Sequence, residues 1–124
     1  MSLHPNTRVQ SFRYAFRGIG EMLRTEVNAR VHATAAIIVI VVGFALGIDR
    51  IEWLAIILSI TGVCCAEGFN TAIESLCDVA SPDYHPKVER AKDIAAGAVL
   101  IAAGGAATVG LLVFGRRLLA LLVS

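Results

Sequence analysis

The sequence predicts an all-α membrane protein with three transmembrane helices per subunit, preceded by an amphipathic helix. The mean hydropathy is +0.72 and 56% of the 124 residues are apolar, above the roughly 45–50% typical of soluble domains. The apolar excess falls in three runs, residues 31–48, 53–77 and 94–114. Each run is roughly 18–25 residues long, which a helix needs to cross a bilayer core of about 30 Å. We therefore expect one membrane-embedded domain over residues 1–124.

Ahead of these runs, residues 8–29 have the pattern of an amphipathic helix. Apolar residues recur at spacings of three and four, and charged residues, mostly arginine, occupy the other faces. The apolar positions are Phe12, Phe16, Ile19, Leu23 and Val27. Such a helix also occurs on the surface of soluble domains, but beside three spans it indicates a helix that lies in the membrane interface.

The connections between the runs differ in length. The segment "DRIE" joins the first two runs and is short enough to require a tight antiparallel hairpin. Residues 78–93 form a longer polar connection that contains Pro82 and Pro86. Because proline interrupts a helix and is tolerated in its first turn, we expect the last helix to begin at Pro86 or Lys87.

The distribution of basic residues predicts the orientation in the membrane. Five arginines precede residue 31, against Glu21 and Glu26. Segments rich in arginine remain in the cytoplasm, so the N-terminus and residues 78–93 are expected inside, with "DRIE" and the C-terminus outside. Arg116 and Arg117 run against this assignment, because it places them on the outer side.

The third run carries small residues at every fourth position, which are Ala98, Ala102, Ala106 and Gly110. Stripes of this kind let helix backbones approach closely in membranes. The glycines of "GGAATVG" do not follow a strand and are not followed by lysine, so a phosphate-binding loop is the less favoured interpretation.

The second run is interrupted by the polar residues of "VCCAEGFNTAIESLCD", residues 63–78. At about 100° per residue, Glu67, Asn70, Glu74 and Asp78 lie within an arc of about 80°, and Glu67 and Glu74 are about 10 Å apart along the helix. A carboxylate inside a span costs at least about 2.5 kcal/mol and normally faces protein or water. The stripe therefore indicates a functional site, and a structural stripe neutralised by arginines is the alternative.

Three kinds of chemistry suit this stripe: binding of a hard cation such as Mg²⁺, proton abstraction by a carboxylate, and a proton or ion pathway. The surroundings favour the first two. Glu26 can join Glu74 around a metal, and cationic side chains lie beside acids in residues 78–93, which suits a Mg²⁺-nucleotide. The Walker, kinase glycine-loop and dinucleotide-binding motifs are absent from the sequence.

The residues "AEGFNTAIESLCDVASPDYHPKVERAKDIAAGAVLIAA" and the upstream "FRYAFRGIGEMLRTEVNARVH" closely resemble the small prokaryotic diacylglycerol kinase and undecaprenol kinase family. The resemblance covers residues 8–114, and the motifs E-x-x-N-[ST]-A-I-E, [DE]-Y-H and A-K-D are specific in combination. It implies homotrimers in the bacterial cytoplasmic membrane. It also implies transfer of the γ-phosphate of Mg-ATP to a lipid hydroxyl, at subunit boundaries near the cytoplasmic face, with no nucleic-acid partner.

The resemblance also implies a role for individual residues. Glu67 matches the general base that takes the proton of the lipid hydroxyl, and Asn70 supports it. Glu26 and Glu74 match the Mg²⁺ ligands. The positions that match contacts to ATP are Tyr14, Asp83, Tyr84, His85, Lys92, Asp93 and, in a looser register, Arg8.

The lipid substrate is the least specified part of this prediction. The segment "SPDYHPKVERAKDIAAGAVL" is more similar to the undecaprenol kinase branch than to the enterobacterial diacylglycerol kinase branch. Undecaprenol is therefore the expected substrate and diacylglycerol the alternative.

Two other classes of function are less consistent with the sequence. A non-catalytic scaffold leaves the acidic stripe unexplained. A channel is disfavoured because the first and third runs have no ionisable residue in their interiors.

Overall fold

The protein is all-α over the residues that its computed structural model describes, 7–124, and no strand occurs among them. The four helices are α1 (Arg8–Thr25), α2 (Val27–Leu46), α3 (Arg50–Ala80) and α4 (Pro86–Val123). The last three are long and apolar enough to cross a membrane. The all-α class and the three apolar helices are therefore confirmed.

Helix α1 is shorter than the sequence pattern predicts. A reciprocal capping box between Thr7 and Gln10 starts it, but it ends at Thr25, and Glu26 has an extended backbone with φ −106° and ψ 117°. The guanidinium of Arg30 donates hydrogen bonds to the carbonyl oxygens of Leu23 and Arg24, at 3.1 and 2.8 Å. These bonds satisfy carbonyl oxygens at the end of α1. The helix therefore ends before Glu26 and does not continue to residue 29.

The hairpin between α2 and α3 is tighter than "DRIE" suggests. Gly47 ends α2 with φ 62°, a left-handed conformation that glycine adopts readily. Asp49 then caps α3 through a reciprocal capping box with Glu52. The connection is therefore residues 47–49, and the first span is residues 27–46 where the apolar run predicted 31–48.

Helix α4 begins at Pro86, one of the two predicted starts, and His85 is its N-cap. The His85 Nδ1 accepts a hydrogen bond from the Lys87 backbone N–H at 3.1 Å. The helix continues without interruption to Val123. The predicted spans 53–77 and 94–114 are thus parts of longer helices, because polar residues at both ends stay helical.

Packing is most extensive between α3 and α4. The buried core consists of Ile48, Ile56 and Val113, with Trp53 and Phe114 packed against it. Many large apolar side chains elsewhere on the spans are exposed, such as Leu111 at 74% and Leu100 at 75%. Faces of this kind suit lipid or other membrane helices.

Ion pairs close the bundle at the α2–α3 turn. Arg117 of α4 pairs with Glu52 and donates a hydrogen bond to the Gly47 carbonyl oxygen at 3.2 Å. The guanidinium also lies 3.7 Å from the Asp49 carboxylate, and Arg116 lies 3.6 Å from Glu52. The two arginines that run against the predicted orientation are therefore paired with acids at the same end of the molecule.

Candidate active site

The acidic stripe of α3 is buried at one end and open at the other. Glu67 is 2% exposed and Asn70 is 7% exposed. One turn further on, Glu74 is half-buried, and the side chain of Asp78 is 69% exposed. The helical arrangement that the sequence predicts thus produces a row of polar groups that leads from the exposed end of α3 to a buried carboxylate.

Glu67 faces a groove of about 1030 Å³ between α1, α2 and α3. The wall is mostly small or apolar, and α1 comes close where Met22 meets Gly68, since a Cβ at that glycine would be 3.7 Å from the Met22 sulfur. The polar residues that line the groove include Glu21, Glu26, His32, Glu67 and Thr71. The groove therefore combines an apolar wall with a few carboxylates, the lining that small-molecule sites typically have.

Three buried polar atoms on α3 have no hydrogen-bond partner among the described residues. They are Oε2 of Glu67, Oδ1 of Asn70 and Oγ1 of Thr71. Buried polar atoms without a partner are rare in folded proteins and call for a specific explanation. The three residues are close together on one helix, and Glu67 and Thr71 also line the groove.

Among the polar groove residues named above, the sequence reasoning did not place Glu21, His32 or Thr71 in the site. Thr71 directly follows Asn70 within the motif and lies one turn from Glu67, so the spacing itself was a usable signal. His32 lies on α2 with its Nε2 3.8 Å from Oε2 of Glu67. The only sequence signal for His32 is a histidine near the start of the first apolar run.

The two carboxylates expected to bind a metal, Glu26 and Glu74, lie in different surroundings. Glu74 accepts a hydrogen bond from the Asn70 amide, Nδ2 to Oε1, at 3.2 Å. Glu26 lies at the break between α1 and α2, where its side chain makes no capping hydrogen bond, and it lines the groove with Glu67. Glu74 lies outside the set of residues that line this groove.

The described residues contain no group of three or more histidine, cysteine, aspartate or glutamate side chains that holds a metal unaided. Mg²⁺ in nucleotide sites takes one or two protein carboxylates and completes its shell with phosphate oxygens and water. Glu26 and Glu74 are carboxylates of the kind that such a site uses, but the groove that contains Glu26 does not include Glu74.

Four of the residues expected to contact ATP come together in a second cavity, of about 490 Å³, at the turn between α3 and α4. They are Asp83, Tyr84, His85 and Lys92. Lys92 Nζ lies 2.8 Å from Asp78 Oδ1, and the Tyr84 hydroxyl donates to Glu89 at 2.8 Å. The latter bond raises the pKa of Tyr84 above its ordinary value, so the phenol keeps its proton and remains a donor.

The remaining three expected contacts lie elsewhere in the chain. Arg8 is the first residue of α1, and Tyr14 on the same helix is covered by the Arg17 guanidinium, 5.6 Å from its ring centroid. Asp93 is exposed on α4. None of the three lines the groove or the second cavity. Within one chain, the groove and the cavity at the α3–α4 turn are separate.

The chain is similar to known proteins over most of its length. A family model described as prokaryotic diacylglycerol kinase matches residues 13–114. The chain is 44% identical over 109 residues to an undecaprenol kinase of Bacillus subtilis, covering 88% of this chain and 89% of the relative. It is also similar to a Synechocystis diacylglycerol kinase, 39% identical over 86% of this chain and 61% of the relative. An Escherichia coli diacylglycerol kinase is 33% identical over 72% of this chain and 73% of the relative.

Proposed function

Since this chain belongs to the prokaryotic diacylglycerol kinase family and is a membrane lipid kinase, we propose that it transfers the γ-phosphate of Mg-ATP to the hydroxyl of undecaprenol. The observation that carries the proposal is Glu67, a carboxylate 2% exposed within a membrane-spanning helix, whose Oε2 has no hydrogen-bond partner among the described residues. The similarity to an undecaprenol kinase over 88% of the chain supports this substrate. Diacylglycerol is the second candidate, supported by the diacylglycerol kinases at 39% and 33% identity.

We assign Glu67 as the general base. The lipid hydroxyl enters the groove from the bilayer and donates its proton to the Glu67 carboxylate as its oxygen attacks the γ-phosphorus. Asn70, one turn away, supports the site by orienting the acidic groups around it. In phosphoryl transfer most of the rate enhancement comes from positioning and charge stabilisation. For the lipid substrate, the main requirement is therefore a fixed carboxylate beside the acceptor oxygen.

We assign Glu26 and Glu74 as the residues that hold Mg²⁺, together with phosphate oxygens. When bound, Mg²⁺ neutralises charge on the phosphates during transfer. Lys92 adds a positive charge, and Asp83, Tyr84 and His85 line the cavity beside it. We assign these four residues, with Asp93, Tyr14 and Arg8, to ATP binding.

A homotrimer would account for the separation of the groove and the cavity at the α3–α4 turn. In one chain Glu26 and Lys92 line different cavities, whereas a site at a subunit boundary can combine the groove of one copy with the α3–α4 turn of its neighbour. The exposed apolar faces of the spans and the small residues of α4 suit contacts between copies. We place the trimer in the bacterial cytoplasmic membrane, with its sites on the cytoplasmic side.

Transfer of labelled phosphate from ATP to lipid tests the proposal. Purified protein in mixed micelles with Mg²⁺ would receive undecaprenol or diacylglycerol, and Glu67→Gln would serve as the inactive control. We expect wild type to phosphorylate undecaprenol with a kcat/KM at least roughly tenfold above that for diacylglycerol. A preference for diacylglycerol would overturn the substrate assignment. Transfer to neither, nor to a wider panel of lipid alcohols, would favour a non-catalytic scaffold.

A further inference from the structure

A histidine on α2 lies against the buried carboxylate of α3. The Nε2 of His32 is 3.8 Å from Oε2 of Glu67, with side-chain exposures of 25% and 2%. Oε2 is a fully buried oxygen that has no hydrogen-bond partner among the described residues. The separation exceeds a hydrogen bond by about 1 Å, which a small rotation of the imidazole about its side-chain bonds can close.

His32 lies where two cavities meet. It lines the groove that contains Glu67 and also a smaller cavity of about 270 Å³ between α2, α3 and α4. The titratable groups that line these cavities with it are Glu21, Glu26, Cys64, Cys65 and Glu67. Helix α4 contributes only small apolar residues, which are Ala103, Ala106, Ala107 and Gly110. Of the described residues that line the groove, His32 is the one that can carry a positive charge.

The chemistry of the site leaves one requirement unassigned. A carboxylate that has taken the proton of the lipid hydroxyl must lose that proton before the next turnover. Around Glu67 the groove is mostly apolar, and the other carboxylates that line it, Glu21 and Glu26, are less basic acceptors than an imidazole. Histidine changes its charge near neutral pH and is suited to this role.

We propose that His32 is a positioning and proton-accepting residue that acts on the lipid through Glu67; the inference rests on the proposed kinase function. As the lipid oxygen bonds to the γ-phosphorus, the bond from that phosphorus to the bridging oxygen of ADP breaks, and ADP keeps the electron pair. The lipid proton moves to Glu67 and then to Nε2 of neutral His32. The imidazolium releases it to water at the open mouth of the groove, which restores the carboxylate and the neutral imidazole.

Two substitutions separate proton transfer from simple packing. His32→Gln keeps a hydrogen-bond donor of similar reach but cannot accept a proton, and His32→Ala leaves space for added imidazole. We expect kcat to fall roughly 10²-fold in both, with the KM for Mg-ATP within about twofold of wild type because nucleotide contacts are untouched. Added imidazole should raise kcat of His32→Ala. Thr34→Ala on the same helix, whose hydroxyl donates only to the Arg30 carbonyl oxygen, should behave as wild type.

A wild-type kcat in His32→Gln, or a folded but inactive His32→Ala that imidazole does not rescue, would overturn the proposal. The pH profile of wild type gives a test that does not depend on how the variants fold. We expect kcat of wild type to fall as the pH is lowered, because protons from solvent then compete for the acceptor nitrogen, and a flat profile on the acid side would also overturn the proposal.

The same assay separates this inference from the proposed function. If wild type transfers no phosphate to any lipid alcohol, the kinase proposal itself fails. If wild type turns over, Glu67→Gln does not, and His32→Gln matches wild type, only the proton-accepting role of His32 fails.

Discussion

Arg117, near the end of α4, forms an ion pair with Glu52 in the first turn of α3, 65 residues earlier in the chain. Glu52 is 8% exposed, and its carboxylate also completes the capping box of α3. Because Arg117 reaches the Gly47 carbonyl oxygen as well, one side chain joins α4 to both helices of the hairpin.

Removing either partner should destabilise the protein. Arg117→Gln leaves a largely buried carboxylate without its cation, and Glu52→Gln leaves Arg117 without its main partner. We expect each to lower the midpoint of thermal unfolding in detergent by a few degrees, measured by circular dichroism. Arg116→Gln is the matched control, because that side chain is 72% exposed and more distant, and it should change little. A double variant whose loss equals the sum of the single losses would show that the two residues do not interact.

The orientation of the chain can be tested with single cysteines in a background that lacks Cys64, Cys65 and Cys77. We expect Ser124→Cys to react with a membrane-impermeant maleimide on intact spheroplasts, because the C-terminus is assigned to the outer side. Lys87→Cys, at the exposed start of α4, should react only after the membrane is permeabilised. The reverse pattern would show that the N-terminal arginines do not determine the topology.

The hydrogen bond from Asn70 to Glu74 predicts a linked effect on metal use. Asn70→Ala frees the Glu74 carboxylate to rotate, so a larger Mg²⁺ concentration should be needed for half-maximal activity, by about 10-fold. Glu74→Gln should shift that concentration further in the same direction. Titration of activity with Mg²⁺ at saturating ATP measures the half-maximal Mg²⁺ concentration of each variant. Unchanged Mg²⁺ dependence in Glu74→Gln would remove this residue from the proposed metal site.

Tyr84 provides a test that depends on pH. The hydrogen bond to Glu89 raises the pKa of Tyr84, so its stabilising effect is fully present below the ordinary tyrosine pKa and is lost as the pH rises through the raised value. Glu89→Gln should therefore lower the pKa of Tyr84 toward its ordinary value. Ultraviolet absorbance of the ionised phenol reports this in a Tyr14→Phe background, where Tyr84 is the one remaining tyrosine. Equal titration curves for wild type and Glu89→Gln would contradict the assigned contact.

Much of the fold could be predicted because it depends on local patterns. Long apolar runs require helices in a membrane, and Pro86 marks the start of α4 in both sequence and structure. The break at Glu26 could not be predicted, because it depends on Arg30 folding back to bond carbonyl oxygens six and seven residues earlier. The amphipathic pattern continues through that point, so periodicity alone extended the helix to residue 29.

The candidate site could be predicted only in part, for a similar reason. Helical periodicity placed Glu67, Asn70 and Glu74 on one face of α3, and two of them are buried there. Periodicity carries no information on which helix faces that stripe, so the approach of His32 to Glu67 came only with the packing of α2 on α3. The assignment of Glu67 as base stays a prediction, and it is the most directly testable one.

The most direct measurement is the single-turnover rate of phosphate transfer to undecaprenol by wild type and Glu67→Gln. The amide has nearly the same shape as the carboxylate but cannot take a proton, so the variant should remain folded while the rate falls by about 10²–10⁴-fold. Size-exclusion chromatography and circular dichroism would establish that assembly and helicity are unchanged. A folded Glu67→Gln protein that transfers phosphate at the wild-type rate would contradict the role of Glu67 as the base.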